Sequence, residues 1–208
     1  MPLALFALVS FLLLCAVLGH LEVSENNVSC PACRTSRALN AVNSTMSFEV
    51  FQYNVFGRPS IVSEDGQRER LERIPESLIH ISETIDVVTF AEADIRTDRN
   101  ELLAQLKNVG LAYSTSILND PDPFTSILNG GVIIVSKWPI LKEAQHVYRH
   151  ACHYSDCLAA KGVKYARLLK TVNGLQKIFN VFATHMQAWS TPEARADRIK
   201  QAQQVISH

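Results

Sequence analysis

Three polar side chains stand at the ends of segments that otherwise have the character of buried strands. Asn54 lies near the end of an aromatic and β-branched run, Glu92 directly follows IDVVTFA, and His185 directly follows IFNVFAT. Strand ends present reactive side chains on a rigid scaffold. A carboxylate and an amide oxygen suit Mg²⁺, which uses few protein ligands and keeps waters. A histidine across the same edge can donate a hydrogen bond to a phosphoryl oxygen or leaving group.

Each of these residues also has an ordinary structural explanation. An asparagine at a strand end often caps a turn, a glutamate after a strand is often simply solvated, and a lone histidine is often a satisfied structural residue. The spacing alone leaves both readings open, because the side chains come from distant strands. Trp138 and Trp189 could stack on a quaternary ammonium or serve as ordinary packing residues. Ordinary packing is the favoured interpretation for both.

The elements that would position these residues come in a mixed order. Apolar and β-branched runs predict strands at residues 48–56, 85–90, 111–118, 131–136, 143–150, 163–172 and 177–184. The dipeptide Asn173-Gly174 predicts a type I′ hairpin turn between the last two.

Helices are predicted in three places. Residues 67–83 have helical periodicity that Pro75 must kink or restart. A second helix begins with Thr97 as its N-cap and stops at Gly110. Thr191 and Pro192 begin a third, whose apolar positions are Ala194, Ile199, Ala202 and Val205. Helices between the early strands and hairpins between the later ones indicate a mixed α/β or α+β domain rather than a doubly wound parallel sheet.

The N-terminal segment predicts entry into the secretory pathway. Residues 3–18 are uncharged and almost wholly apolar, which is short for a membrane span but suits a signal peptide over residues 1–19, cleaved before His20. The alternative is a signal anchor that is never removed. Residues 20–45 are interpreted as a polar linker or prosegment with glycosylation acceptors at Asn27 and Asn43, and residues 46–208 as the folded domain.

Cysteine usage and net charge narrow the function classes. The chain has five cysteines: Cys15 would leave with the signal peptide, Cys30 and Cys33 form a CxxC best explained as a small disulfide loop, and Cys152 and Cys157 are close enough to pair. Twenty basic residues balance twenty acidic ones, so the total charge gives no support for a non-specific nucleic-acid binder.

Five segments in order carry a family resemblance: FQYNVFGRP, DVVTFAEA, NGGVIIVSKWPI, CLAAKGVKYARL and VFATHMQA. Together they resemble the endonuclease/exonuclease/phosphatase superfamily, and most closely its secreted sphingomyelinases. The resemblance implies a four-layer α/β/β/α sandwich of DNase I-like type, with Mg²⁺ or another divalent metal. It implies that Glu92 is a direct metal ligand and that Asn54 belongs to the same metal site. It also implies that Asn54 and His185 are catalytic residues, with His185 contacting the scissile phosphate.

The activity implied by this resemblance is hydrolysis of sphingomyelin, at a membrane surface, to ceramide and phosphocholine. The alternatives are a superfamily phosphodiesterase acting on phosphoinositides or nucleic acid, and a truncated, non-catalytic secreted protein that binds membrane or a partner. The protein is expected to be secreted, without a transmembrane helix in its mature form.

The resemblance also implies features that this chain lacks. An Asp-x-Asn pair and a later Asp-His pair are expected after the THxQA motif, and neither follows His185. The chain is therefore expected to be a partial sequence, incomplete at the C-terminus and inactive alone. The resemblance to secreted bacterial relatives implies a disulfide between a cysteine near the AAKG loop and one after the THxQA motif. This chain has no cysteine after Cys157, so Cys152 and Cys157 pair with each other or neither is paired. His153, Asp156 and Lys161 lie in or beside the family-like loop, and the sequence assigns them no role.

Overall fold

A computed structural model describes residues 15–20, 46–120 and 128–207, and for residues 15–20 the backbone alone. Predictions for the CxxC cysteines, the two glycosylation acceptors, nearly all of the linker and most of the signal peptide lie outside these residues.

The described strands form two sheets. The strands are β1 (Cys15–His20), β2 (Val50–Gly57), β3 (Val87–Ala93), β4 (Tyr113–Ser114), β5 (Ile133–Ser136), β6 (Ile140–Val147), β7 (Gly162–Val172) and β8 (Leu175–His185). One sheet has the order β1-β8-β7-β6 and the other β2-β3-β5-β4. Only β2 and β3, among these strands, pair in parallel. They are joined through the first helix, as a parallel connection requires.

The described helices lie outside the two sheets. They are α1 (Gln67–Ile79), α2 (Arg96–Asn108) and α3 (Pro192–Ile206). The apolar faces of α1 and α2 pack on the β2–β5 sheet around Leu71, Leu102 and Phe90, whereas Val205 of α3 packs near Phe182 of the other sheet. A separate apolar cluster fills the space between the sheets. The layers are therefore α/β/β/α, and the predicted fold class is confirmed.

Local signals predicted several boundaries correctly. Asn173 and Gly174 have φ of 51° and 79°, as a type I′ turn requires. Thr191 accepts a hydrogen bond from the Ala194 amide and caps α3. Gly110, at φ 93°, follows the C-cap of α2.

Other boundaries were wrong. α1 runs through Pro75 as one helix and ends at Ile79, so a restart at Pro75 is wrong, whereas the alternative, a kink there, stays a prediction. Thr97 is not an N-cap, because α2 already begins at Arg96 and Arg99 ties its first turn to the Ala93 and Asp94 carbonyls. The predicted strand 111–118 is reduced to β4, and Ile199 of α3 is 61% exposed.

β1 covers the free side of β8. Cys15 pairs with Ala183 and His20 with Ile178 in an antiparallel register. This strand overlaps the predicted signal peptide, and cleavage before His20 would remove all of it except His20. Cleavage stays a prediction. Within the described residues, no helix has the length and apolar character needed to cross a bilayer.

Two buried lysines of β7 connect the sheets. Every second residue of β7 points inward, and this stripe consists of Lys164, Ala166, Leu168 and Lys170. Lys164 Nζ donates to Ser116 Oγ at 2.7 Å. Lys170 Nζ donates to Asp86 Oδ2 at 2.8 Å. The ammonium groups thus close the two ends of the apolar layer between the sheets.

Replacing Lys170 by methionine is expected to lower the free energy of unfolding by about 3 kcal/mol, because the Asp86 carboxylate would stay buried with its cation removed. Lys142→Met, at an exposed position of β6 in the same sheet, is the matched control and should change stability by less than about 0.5 kcal/mol. Urea denaturation of both variants measures the difference. Equal stabilities would contradict a structural role for this ion pair.

Candidate functional site

The three predicted site residues meet at one edge of the two sheets. Asn54 Nδ2 donates to Glu92 Oε1 at 2.9 Å, and His185 Nε2 lies 3.7 Å from the same oxygen. Asn54 belongs to β2 and Glu92 to β3, parallel neighbours whose C-terminal ends share an edge, and His185 is the last residue of β8 in the facing sheet. The structure therefore brings together the residues whose sequence separation gave no indication of contact.

A local irregularity in the parallel pair sets the direction of Glu92. The β2–β3 register shifts between Asn54 and Gly57, and both Phe56 (φ 53°) and Glu92 (φ 57°) adopt left-handed backbone. Asn54 Oδ1 accepts the Phe56 amide at 2.9 Å, so Asn54 also stabilises this turn. Positive φ in a bulky residue is costly and concentrates at functional sites. Glu92 lies within β3 rather than after it, and the irregular backbone is what turns its carboxylate towards Asn54.

A glycine is required behind Glu92. Gly131 has φ 63° and its carbonyl accepts the Ala93 amide at 3.0 Å. A Cβ built on Gly131 would lie 2.8 Å from Glu92 Cα and 2.9 Å from Glu92 N. Any larger residue would push on the backbone that positions the carboxylate.

The environment of the site shifts the pKa values of three of its ionisable groups. Burial, helped by the Lys161 ammonium, lowers the pKa of His185 to about 3, so its imidazole is neutral at neutral pH. Burial also lowers the pKa of Lys161, although Asp156, Glu92 and Asp94 oppose that shift. Burial, followed by the Glu92 charge, raises the pKa of Asp94 to about 7. A neutral imidazole near a carboxylate can act as a hydrogen-bond donor without carrying charge.

The Glu92 carboxylate suits a divalent cation. Its Oε2 is buried and accepts no hydrogen bond from the described residues, and Arg58 Nε lies 3.7 Å from it. The described part of the chain contains no cluster of three or more His, Cys, Asp and Glu side chains arranged to hold a metal. Mg²⁺ does not need one, because it commonly binds through one or two carboxylates, water and substrate phosphate. Asn54 Oδ1 already accepts the Phe56 amide, so its role as a metal ligand stays a prediction.

Sequence reasoning missed Arg58 and Asp94 in this neighbourhood and assigned no role to Lys161. Arg58 lies over the Phe56 ring, 3.5 Å from its centroid, and near Glu92. Asp94 is partly buried and Lys161 is buried, and the charges of both interact with that of Glu92. The segments that contain them could be recognised in the sequence, but burial and proximity between distant loops leave no periodic signal.

The loop before β7 is attached to the loop after His185. Cys152 and Cys157 form a disulfide with Cα atoms 5.2 Å apart, which confirms local pairing, and it encloses most of a 3₁₀ turn at Tyr154–Leu158. Asp156 Oδ2 accepts the Ala188 amide at 2.6 Å and lies 3.8 Å from Lys161 Nζ. Asp156 thus connects both loops to the site.

Known proteins resemble this chain in sequence and in fold. No protein-family model matches the chain. A sphingomyelinase C from Leptospira interrogans is 32% identical over 165 residues, which are 72% of this chain and 28% of that protein. The chain thus spans about a quarter of this relative's length.

Two solved structures share the fold. The crystal structure of sphingomyelinase C from Streptomyces griseocarneus matches with a TM-score of 0.65 and 27% identity, covering 78% of this chain and 58% of the other. A Staphylococcus aureus beta toxin variant with bound magnesium ions matches with a TM-score of 0.63 and 27% identity, covering 75% and 56% of the two chains. In both sequence and fold, the chain is therefore similar to sphingomyelinases C over roughly three quarters of its own length.

Proposed function

We propose that the full-length protein is a secreted, divalent-metal-dependent phosphodiesterase that hydrolyses sphingomyelin, at a membrane surface, to ceramide and phosphocholine. The observation that carries this proposal is that Asn54 and His185 both approach the same oxygen, Oε1, of the Glu92 carboxylate. The similarity to sphingomyelinases C supports the choice of substrate. The apolar N-terminal run and the Cys152–Cys157 disulfide support an oxidising, extracellular location.

The chain's own residues supply binding and orientation. Glu92 would hold the metal through the oxygen that accepts no hydrogen bond, and Asn54 fixes the rotation of the carboxylate by donating to its other oxygen. When bound, a divalent ion polarises the phosphoryl oxygen and stabilises the leaving alkoxide.

His185 and Lys161 complete this half of the site. The neutral His185 imidazole donates a hydrogen bond from its protonated ring nitrogen to a phosphoryl oxygen, and Lys161 offsets negative charge beside it. The oxygen of water bonds to phosphorus as the water gives up one proton, the bond from phosphorus to the ceramide oxygen breaks, and the ceramide oxygen takes up one proton, so that the step is balanced.

A substrate panel with metal removal tests the proposal. The full-length protein in Mg²⁺ is given sphingomyelin, phosphatidylcholine, a phosphoinositide and DNA, and the released products are quantified. We expect phosphocholine release chiefly from sphingomyelin, loss of activity in EDTA, and recovery when Mg²⁺ is restored. Preferential cleavage of DNA or of the phosphoinositide, or turnover that persists in EDTA, would refute it.

A further inference from the structure

We propose that Tyr154, Leu158 and Trp189 form a lipid-contacting surface, the aromatic patch, through which the protein docks on a bilayer. The side chains are 72%, 51% and 50% exposed, respectively. Large apolar groups exposed together mark interaction surfaces. Tyrosine and tryptophan in particular combine an apolar ring with a polar group, and they concentrate where membrane meets water.

The backbone that presents the two rings is strained. Tyr154 has φ 52° and Trp189 has φ 69°, both in the left-handed region that bulky residues seldom occupy. A residue in such a conformation persists only if the surrounding structure enforces it. Tyr154 contacts the His153 ring, with centroids 4.0 Å apart, yet both the Tyr154 and Trp189 side chains stay at least half exposed, so burial of the rings does not account for the strain.

The surrounding contacts hold the Trp189 loop firmly. Arg198 Nη1 donates to the carbonyls of Gln187, Ala188 and Trp189 at 2.8, 3.2 and 2.7 Å. Gln201, a fully buried polar residue of α3, accepts the Gln187 amide at 2.9 Å. Buried polar residues of α3 therefore restrain this loop, while Val205 of the same helix packs near Phe182 of the sheet.

The Tyr154 loop is joined to the Trp189 loop. Asp156 accepts the Ala188 amide, and His153 donates its amide to Gln187 Oε1 at 2.9 Å. The Cys152–Cys157 disulfide closes the loop at its base. Because these contacts already fix the loops that carry the exposed rings, less conformational entropy is lost when the rings dock.

The position of the aromatic patch favours a bilayer as its partner. Asp156, between Tyr154 and Leu158, lies 3.8 Å from Lys161 Nζ and accepts the amide of Ala188, the neighbour of Trp189, so the patch borders the candidate site. This choice of partner rests on the proposed function, whose substrate lies in a membrane. Docking there would bring the site to the level of the lipid phosphates.

Vesicle binding of the full-length protein tests the inference. Vesicles of phosphatidylcholine and cholesterol, without sphingomyelin and in EDTA, exclude turnover and metal from the measurement. The variants are Tyr154→Gly, Trp189→Gly and the double variant, because glycine removes each ring and accepts the left-handed backbone. We expect each single variant to weaken co-sedimentation by about tenfold, with little change in melting temperature.

Three controls make the result specific. Tyr113→Ala removes an exposed aromatic ring from β4. Tyr113 pairs with Ser136 of β5, and Ser136 pairs in turn with Val87 at the start of β3. Tyr113 therefore lies at the end of the sheet away from Glu92. This variant should bind vesicles normally. Trp189→Phe should restore most of the binding lost in Trp189→Gly. Glu92→Gln should bind like wild type although it lacks turnover, which separates failure of this inference from failure of the proposed function.

Wild-type-like vesicle binding by the double variant would overturn the proposal. A large fall in melting temperature would also overturn it, because it would show that another part of the protein covers the rings. Wild-type-like binding together with a change from dimer to monomer would assign them instead to an interface between copies.

Discussion

Glu92→Gln is expected to lower sphingomyelin turnover by the full-length protein by about 10³-fold, equivalent to about 4 kcal/mol of transition-state stabilisation. Glutamine keeps the shape of the side chain and an oxygen that accepts the Asn54 amide, but it loses the charge that would hold a divalent ion. The fold should therefore survive while the metal-dependent step fails.

Metal binding gives this prediction a second readout. Mg²⁺ should raise the melting temperature of the wild type and leave that of Glu92→Gln unchanged, since a ligand stabilises only the state that binds it. The matched control is Glu72→Gln on the exposed face of α1, where an i,i+4 pair with Arg68 contributes little. Near-wild-type turnover by Glu92→Gln would contradict the metal assignment.

Gly131→Ala is expected to reduce turnover about a hundredfold and to lower the free energy of unfolding by about 3 kcal/mol. The new Cβ would lie 2.8 Å from Glu92 Cα. The hydrogen bond from the Ala93 amide to the Gly131 carbonyl prevents the two segments from separating freely. A small displacement of Glu92 would then disturb its contact with Asn54.

Gly174→Ala is the control for Gly131→Ala, because it introduces the same backbone strain without a steric clash. Gly174 has φ 79° in the β7–β8 turn, and a Cβ there would meet nothing within 4 Å. This control should cost about 1 kcal/mol of stability and leave turnover unchanged. Similar kinetic effects in both variants would show that Gly131 matters for the fold alone. Chemical denaturation and initial-rate measurements on the same preparations distinguish these outcomes.

Elements with strong local signals were predictable from the sequence. The Asn173-Gly174 turn and the Thr191-Pro192 start of α3 depend on residues within a few positions of each other, and both predictions are confirmed. Thr97 shows the limit of such signals, because the start of α2 is set by hydrogen bonds from Arg99 to the preceding segment. Tertiary contacts override a capping preference of about 1 kcal/mol.

Buried polar residues were the main features that the sequence did not reveal. Lys164 and Lys170 alternate with apolar residues inside β7 and were counted only as part of a strand. Gln201 occupies the buried face of α3, while Ile199 is exposed. These placements depend on hydrogen-bond partners from distant segments, so hydrophobic periodicity cannot predict them.

The candidate site was predicted in part because ordered motifs identified Asn54, Glu92 and His185. Arg58, Asp94 and Lys161 received no assignment, because their importance arises from burial around one carboxylate. Single-sequence reasoning can locate a strand end. It cannot show which loop from the facing sheet brings a charge to it.

The long β7–β8 hairpin gives the molecule a built-in axis. His185 stands at the end of β8 beside the candidate site, and the eleven residues of that strand lead back to Leu175 at the turn. At about 3.3 Å per residue, the turn lies about 35 Å from the site. A fluorophore or affinity handle attached at the turn would leave the edge with the candidate site accessible. Its height above a bilayer would report how upright the protein stands on the surface.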